Sequence, residues 1–338
     1  MPGSAQSPER MLSEFDIISR CFDQPGLSCA GSNLIRQGIG DDCALVDIPE
    51  GSSLAFSMDT LVEGVHFPPD ADPFRLATRA LAVNLSDLAA TGAKPAYFTL
   101  GLTLPDANEA WLMSFADGLK CRAQKFHCCL AGGDITRGPL TITIQVHGLV
   151  PAGRAILRDG AKAGDSIYVT GSLGKAALAL SVLDGTLSSM DENTQRVLLD
   201  AYYDPAPRIK EGIGLSSFVS AGIDISDGLL GDLGHICDRS GVGARVRLSA
   251  VPVDALVMHT LGEQAGRAMA LNGGDDYELI LTVPADREAA FIAEAGKLDA
   301  VVTRIGEIIE GRTVVCLDDE GNTVPVTSRS YNHFPEQG

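Results

Sequence analysis

The sequence predicts a mixed α/β fold divided into two domains. Its 338 residues correspond to about two domains of typical size. Strand-like and helix-like segments alternate in both halves, without the regular βαβ order of a dinucleotide-binding domain. The segment VPAGRA at 150–155 interrupts this pattern with Pro and Gly, which favour turns. We therefore expect an N-terminal domain at residues 1–151 and a C-terminal domain at residues 152–338.

A long helix is the clearest element of the N-terminal half. Asp72 and Pro73 indicate its start, because Pro is tolerated at the first helical position, and Gly92 suits a C-terminal cap. A second helix is predicted over 106–127. Strands are predicted for LAFSM at 54–58, ending at Asp59, and for two alternating segments at 96–104 and 140–150.

The C-terminal half contains a glycine turn that is similar to a known nucleotide-binding motif. GSLGKA at 171–176 is similar to a phosphate-binding loop, but only two residues separate its glycines and Ala176 follows Lys175. The loop motif requires four residues between the glycines and a Ser or Thr after Lys. We therefore interpret it as a strand-to-helix turn. Helices are further predicted near 192–201 and 207–217 and from Ser226, and strands near 221–225, 244–248, 277–283, 301–307 and 312–317.

Charge and composition narrow the possible functions. The chain has 26 Lys and Arg against 44 Asp and Glu, a net charge of −18. Such a protein repels nucleic acid and anionic membranes, so neither is an expected partner. No apolar run approaches the roughly 18 residues of a membrane span, and the first twenty residues resemble no secretory signal. The eight cysteines form no C-x-x-C pair, so we expect buried, reduced thiols in a cytoplasmic protein.

Acidic residues recur where an apolar strand meets a glycine turn. Taken singly, each is typical of a turn or a helix cap. Their number is nonetheless typical of a site at the strand ends of an α/β sheet. A few carboxylates with water and substrate phosphates are the ligands that Mg²⁺ prefers, and Mg²⁺ would attract a phosphorylated ligand to an acidic protein. The acidic residues of these turns are Asp41, Asp42, Asp59, Asp134, Asp224, Asp227, Asp275, Asp276 and Glu278.

Asp87 differs from these residues because it lies inside the first predicted helix. At 100° per residue it is in line with the apolar Leu76, Ala80 and Val83. An isolated buried carboxylate is very costly. Asp87 is therefore expected to bind a metal ion or to serve as a structural hydrogen-bond anchor.

Three further residues are candidates for binding. Ser226 precedes a predicted helix, where it can cap the helix and leave backbone N–H groups facing an anion. Arg158, in AILRDG, can clamp phosphate oxygens, with a surface ion pair as the alternative. His66 follows the acidic turn at Asp59, and either a ligand-binding or a structural role is open for it.

Together these motifs resemble those of the thiamine-monophosphate kinase family. That family belongs to the ATP-binding superfamily of aminoimidazole-ribonucleotide synthetase and selenophosphate synthetase. The resemblance covers nearly the whole chain, and NLSDLAATGA and IDISDGLLGDLGHI are its most specific segments. The other segments are GIGDDCALVD, SMDTLVEGVHF, GGDITRGP, LRDGAKAGDSIYVTG and GGDDYEL.

The resemblance implies a fold, an assembly and an activity. The fold would be an α/β fold like that of aminoimidazole-ribonucleotide synthetase, in which long strands of two N-terminal domains pair into a dimeric β-barrel. The activity would be ATP-dependent phosphorylation of thiamine monophosphate to thiamine diphosphate by direct in-line transfer, with several Mg²⁺ ions. Because the acceptor phosphate is already largely ionised at neutral pH, its second pKa being about 6, no dedicated general base is needed.

The resemblance also assigns roles to individual residues. The metal ligands would be Asp42, Ser57, Met58, Asp59, Asp87, Asp134, Asp224 and Asp227. The residues contacting ATP would be Gly133, Asp134, Arg158 and Ser226. The catalytic residues would be Asp87, Asp134, Asp227 and Arg158. The thiamine site would contain His66, Asp275 and Tyr331, although Tyr331 is also compatible with ordinary packing.

Two departures and two alternatives accompany this interpretation. Family members commonly have Thr where this chain has Met58, which leaves only a carbonyl as ligand, and Asp275 replaces a longer Glu. Another enzyme of the superfamily, such as an amidine-cyclising synthetase, is the nearer alternative. Selenophosphate synthetase fits poorly, because no Lys follows Cys29 in SCAGSNLIRQG. The more distant alternative is a non-catalytic regulator that binds Mg²⁺ and nucleotide.

Overall fold

The computed structural model describes residues 13–187 and 190–325. The chain divides into two compact units that interleave along the sequence. The first unit comprises Met1–Asp47, Asp59–Ala80 and Tyr97–Gln145, and the second comprises Ile48–Met58, Leu81–Ala96 and Val146–Gly338. The predicted domain division between residues 151 and 152 stays a prediction.

The secondary structure contains the mixture of strands and helices that the sequence predicts. The strands are β1 (Ile35–Gln37), β2 (Leu45–Val46), β3 (Ser52–Val62), β4 (Lys94–Leu104), β5 (Cys129–Arg137), β6 (Thr141–Pro151), β7 (Ser166–Thr170), β8 (Ala221–Asp224), β9 (Gly243–Arg247), β10 (Leu279–Val283), β11 (Val302–Ile309), β12 (Val314–Leu317) and β13 (Thr323–Val324). The α-helices are α1 (Glu14–Ile17), α2 (Pro73–Thr91), α3 (Glu109–Lys125), α4 (Lys175–Leu183), α5 (Glu192–Tyr203), α6 (Ile209–Leu215), α7 (Leu229–Ser240), α8 (Ala255–Leu261), α9 (Glu263–Asn272) and α10 (Glu288–Lys297). None of the helices in the described ranges is long and apolar enough to cross a membrane.

The helix predicted from Asp72 to Gly92 is confirmed as α2. The Asp72 carboxylate accepts a hydrogen bond from the Arg75 backbone N–H at 2.9 Å, which satisfies one of the free donors of the first turn. At the other end Gly92 has a φ of 70°, the left-handed conformation that ends many helices. Leu76 and Ala80 are fully buried, as the predicted stripe requires.

The long strands form a four-stranded sheet in the order β3-β6-β4-β5. Along β6, buried Ile142 and Ile144 alternate with half-buried Thr143 and Gln145, so the predicted two-faced strand is confirmed. The prediction that the first strand ends at Asp59 is wrong, because β3 continues to Val62.

A seven-stranded sheet forms the centre of the second unit, in the order β13-β12-β9-β11-β7-β10-β8. Almost all neighbours are antiparallel, with β12 and β9 as the parallel pair. One face carries Ile167, Val169 and Ile223 in a core with Leu233 of α7. The opposite face carries residues such as Leu281, which pack with Phe291 of α10. Antiparallel pairing explains the absence of a βαβ rhythm in the sequence.

The cysteines correct one expectation. Cys29 and Cys129 form a disulfide, and Cys43 and Cys121 are exposed; the prediction of buried, reduced thiols is therefore wrong for these four residues. The disulfide follows from tertiary structure, because Ser28 makes an isolated parallel bridge to Leu130 of β5. A separation of 100 residues leaves no local sequence signal for this pairing.

Candidate active site

A cavity of about 260 Å³ in the second unit collects four of the predicted site residues. Ser57 comes from β3, Asp87 from α2, Arg158 from the loop before β7, and Asp224 from the end of β8. Apolar residues, including Ile156, line the rest of the wall. Two carboxylates, a hydroxyl and a guanidinium thus line one cavity, although the residues that carry them are up to 167 positions apart in the sequence (57 to 224).

The carboxylate of Asp87 is partly buried. Burial raises its pKa above the ordinary value, while a hydrogen bond with the Ser57 side chain and the positive charge of Arg158 act in the opposite direction. Both groups therefore favour the ionised form, which is the form that binds a cation. The hydrogen bond and the nearby positive charge offset part of the cost of burying this carboxylate.

Asp224 is held by the residue next to Asp87. The Ser86 hydroxyl donates a hydrogen bond to the Asp224 Oδ2 at 2.7 Å, and both side chains are buried. Consecutive residues of α2 therefore have different tasks: Ser86 orients one predicted ligand, and Asp87 faces the cavity as another. A short hydroxyl–carboxylate bond of this kind is among the stronger hydrogen bonds in proteins.

The loop at 226–228 does not have the predicted hydrogen bonds. Helix α7 begins at Leu229, with Gly228 at the N-cap position and no side-chain cap, so the prediction that Ser226 caps this helix is wrong. Instead, the Asp232 Oδ2 accepts hydrogen bonds from the backbone N–H groups of Ser226, Asp227 and Gly228 at 3.1, 3.1 and 3.2 Å. The N–H groups expected to face an external anion are occupied by an internal one.

Asp232 is the residue of this region that the sequence analysis missed. It is buried, and burial raises its pKa to about 7 against the lowering effect of the three N–H donors. The available signal was an acidic residue in the first turn of a helix, where carboxylates often satisfy free backbone donors. Its hydrogen bonds fix the backbone beside Asp227, a predicted ligand.

The three acids of GGDDYE have three different surroundings. The Asp276 carboxyl group accepts from the Gly174 backbone N–H at 2.9 Å. This confirms GSLGKA as a strand-to-helix turn, in which a carboxyl group of the chain itself occupies the start of α4. Buried Glu278 accepts from the Arg208 Nε and from the Thr170 hydroxyl, both at 2.6 Å. Asp275 accepts from the Tyr277 hydroxyl at 2.9 Å. Of the three residues, Glu278 is buried, and Asp275 and Asp276 are half-buried.

Five further predicted residues are in the first unit. Asp42 and Asp134 are exposed, and Asp59 is half-buried within β3. Gly133 has a structural reason to be glycine, because a Cβ there would lie 1.9 Å from the Leu100 carbonyl oxygen. His66 forms a local turn, in which its Nδ1 accepts from the Val62 backbone N–H at 3.0 Å.

Two predicted residues complete the comparison. Met58 lies on β3 with its side chain 58% exposed, and Tyr331 is outside the described residues. Within 13–187 and 190–325, no three His, Cys, Asp or Glu side chains form a group that could hold a metal ion on their own. The cavity in the second unit offers two carboxylates, from Asp87 and Asp224.

Comparison with known proteins gives this geometry a context. Residues 40–150 match the family described as AIR synthase related protein, N-terminal domain, and residues 162–318 match the corresponding C-terminal domain. Thiamine-monophosphate kinase of Escherichia coli O157:H7 is 48% identical over 322 residues, which cover 95% of this chain and 98% of that protein.

The chain belongs to the thiamine-monophosphate kinase family.

Solved structures of the family agree with this assignment. The crystal structure of thiamine-monophosphate kinase from Stenotrophomonas maltophilia K279a matches with a TM-score of 0.83 and 41% identity, covering 93% of this chain and 99% of that chain. A structure described as AaThiL complexed with AMPPCP and TMP matches with a TM-score of 0.74 and 29% identity, covering 95% and 97%. The two-domain fold like that of AIR synthase is thereby confirmed.

Proposed function

We propose that this protein transfers the γ-phosphoryl group of ATP to thiamine monophosphate and so forms thiamine diphosphate. The observation that carries the proposal is the cavity in which Asp87, Asp224, Ser57 and Arg158 meet, in a chain 48% identical to a thiamine-monophosphate kinase. The solved relative described with AMPPCP and TMP supports a nucleotide and a monophosphate as the two ligands.

The donor set of the cavity fits Mg²⁺. Asp87 and Asp224 supply carboxylate oxygens and Ser57 supplies a hydroxyl, all hard ligands that Mg²⁺ accepts. A few protein ligands suffice, because Mg²⁺ usually retains water and takes the remaining ligands from substrate phosphates. Mg²⁺ bound there would neutralise the phosphate charge during phosphoryl transfer.

Other residues of the second unit would bind phosphate or position the metal ligands. Arg158 reaches phosphate oxygens with its guanidinium, while Ser86 keeps the Asp224 carboxylate in place. Asp232 fixes the loop at 226–228 through its three backbone hydrogen bonds, and this would hold Asp227 in position as a metal ligand. The acceptor phosphate needs no base, since it is largely ionised at neutral pH. Catalysis then depends on alignment and charge neutralisation.

Further residue roles complete the proposal. Asp42, Met58, Asp59, Asp134 and Asp227 would add metal ligands, Met58 through its carbonyl. Gly133, Asp134 and Ser226 would contact ATP, and catalysis would depend on Asp87, Asp134, Asp227 and Arg158. The thiamine ring would bind near His66, Asp275 and Tyr331. Because the backbone N–H of Ser226 is bonded to Asp232, the contact of Ser226 with ATP would be made by its hydroxyl.

We also propose a homodimer that works in the cytoplasm, where ATP and Mg²⁺ are abundant. Strand β3 is at one end of its sheet and has Phe56 64% exposed and Met58 58% exposed. An edge strand with exposed apolar side chains is suited to pairing with a second copy, and pairing of this kind would form the dimeric barrel. Light scattering on the purified protein would give the mass of the assembly.

The direct test is ADP release from ATP and Mg²⁺ with four acceptor conditions: thiamine monophosphate, thiamine, formylglycinamidine ribonucleotide and no acceptor. Release that requires thiamine monophosphate, with an equal amount of thiamine diphosphate formed, is the expected result. Release only with the ribonucleotide would contradict the proposal in favour of a synthetase. ATP binding without release under any condition would contradict it in favour of a regulator.

A further inference from the structure

In the described part of the chain, one part of the seven-stranded sheet is covered by α-helices on one face only. On the face that carries Tyr168 and Leu281, the core with Phe291 of α10 contains residues of β7 and β10, and Val302 of β11 packs against it. Strand β9 continues the same sheet, and its Ala244 and Val246 belong to the core on the other face. Since side chains alternate along a strand, Arg245 and Arg247 lie on the uncovered side, and both are exposed.

A cavity of about 220 Å³ opens on this uncovered part. Three arginines contribute to its wall: Arg245 and Arg247 from β9 and Arg304 from β11. Leu317, the β12 neighbour of Arg247, and Ala250 supply the apolar part of the wall. None of the residues assigned above to ATP, Mg²⁺ or thiamine lines this cavity, so it is a second site.

The charges in the cavity are not balanced. The Arg245 Nη1 is 2.5 Å from the Glu307 Oε1, and the Arg304 Nη1 is 3.6 Å from the Glu288 Oε1, a longer and weaker ion pair. Arg247 forms no ion pair or side-chain hydrogen bond with any residue in the described ranges. Three guanidinium groups and one carboxylate, that of Glu307, therefore line the cavity, in a chain of net charge −18.

We propose that this cavity binds the phosphate or diphosphate group of a small metabolite. Guanidinium groups bind phosphate oxygens through paired hydrogen bonds, and this pairing is stronger than one with a neutral acceptor. The volume is below the roughly 300 Å³ at which pockets for whole drug-sized ligands begin, so the phosphate group enters the cavity and the rest of the molecule stays outside. The surrounding negative charge disfavours a polyanion such as nucleic acid.

The probe for the test is inorganic diphosphate, titrated into the intact protein by calorimetry without ATP and with EDTA. Removal of divalent ions leaves the acidic cavity around Asp87 repulsive to diphosphate. The expected result is saturable binding that Arg247→Gln and Arg304→Gln each weaken by at least about tenfold, the effect of losing one charged hydrogen-bond partner. Arg239→Gln, an exposed arginine of α7 outside the cavity, is the matched control and should bind as the unchanged protein does.

Three outcomes would overturn the proposal. The first is no heat of binding with the unchanged protein, and the second is equal affinity in the unchanged protein and in both cavity variants. The third is an equal loss in Arg239→Gln, which would indicate a general charge effect. Turnover of ATP with thiamine monophosphate should be unchanged in Arg247→Gln without diphosphate, so a failure here is distinct from a failure of the proposed kinase activity. Orthophosphate and acetate in parallel titrations distinguish a phosphate site from a site for any anion.

Discussion

Two segments of the second unit, IDISDGLLGD at 223–232 and GGDDYE at 273–278, are both rich in Asp and Gly but use their carboxylates differently. In the first segment, the buried Asp232 binds backbone N–H groups only four to six residues away. In the second, Asp276 and Glu278 bind Gly174 and Arg208, which are 102 and 70 residues away. One carboxylate shapes its own loop, whereas the other two connect distant parts of the chain.

This difference separates two uses of a buried carboxylate. A local carboxylate such as Asp232 determines where the neighbouring Asp227 is placed, so its loss should reduce catalysis more than it reduces stability. A carboxylate with distant partners holds helices α4 and α6 against the sheet, so its loss should reduce stability first. The comparison can be tested by measuring activity and unfolding on the same variants.

The largest effect is expected for a predicted ligand itself. Asp227→Asn keeps the shape of the side chain but removes a negative charge that would hold Mg²⁺ and, through it, phosphate, so turnover should fall by about a thousandfold or more. Asp87→Asn should behave in the same way. Steady-state ADP release measures the loss, and urea denaturation should show a stability close to that of the unchanged protein.

Asp238→Asn is the matched control for this prediction. Asp238 lies on α7 and is exposed, so the substitution makes the same change of charge without touching the cavity. Near-normal turnover in both Asp87→Asn and Asp227→Asn would contradict the proposed metal cluster. A loss in Asp238→Asn of similar size would show that the effect is not specific to the ligands.

The second-largest effect concerns the long-range ion pair. Arg208→Met leaves Glu278, which is only 5% exposed, without its cation, and breaking a buried pair costs about 3 to 5 kcal/mol. The free energy of unfolding in urea should fall by about that amount, while the turnover of the molecules that remain folded changes little. Arg196→Met, an exposed arginine on α5, should alter neither quantity. A large loss of turnover with unchanged stability would assign Arg208 to catalysis instead.

The sequence predicted the parts of this structure that depend on local pattern. The alternation of β6 and the boundaries of α2 required only residues close together in the chain, and so did the rejection of GSLGKA as a phosphate loop. The extension of β3 past Asp59 was missed, as were three helices between residues 255 and 297. Two predictions at the start of α7 were wrong, the Ser226 cap and the anion site formed by free N–H groups beside it. Both depended on which carboxylate reaches the N–H groups of residues 226–228, and in the structure this carboxylate is that of Asp232.

Long-range contacts were beyond prediction from local pattern for the same reason. Asp275 and Asp276 are adjacent acids after two glycines, and nothing in that pattern indicates that Asp276 bonds to the distant Gly174 while Asp275 bonds to the nearby Tyr277. The Cys29–Cys129 pair depends on strand contacts across 100 residues. By contrast, the meeting of Asp87, Arg158 and Asp224 followed from the resemblance of whole motifs, which carries tertiary information that periodicity lacks.

A moderate effect is expected for the local carboxylate. Asp232→Asn retains one oxygen acceptor but replaces the other with an amide that cannot accept, so the loop at 226–228 loses part of its support. We expect kcat to fall by roughly tenfold, with a smaller change in stability than in Arg208→Met. A raised Mg²⁺ concentration for half-maximal activity would indicate that Asp227 has moved. Loss of stability without any change in kcat or Mg²⁺ dependence would assign Asp232 a purely structural role.

The smallest effect is a pH dependence of stability at Asp276. Burial raises the pKa of this carboxyl well above the ordinary 3.8, so between that value and the raised one the native state holds a proton that the unfolded chain has released. Rising pH then disfavours the native state, and Asp276→Asn removes this dependence. The stability advantage of the unchanged protein over Asp276→Asn, measured in urea at about pH 5 and pH 8, should therefore shrink as the pH rises. An advantage that grows with pH would mean that the Gly174 N–H and the start of α4 keep Asp276 ionised.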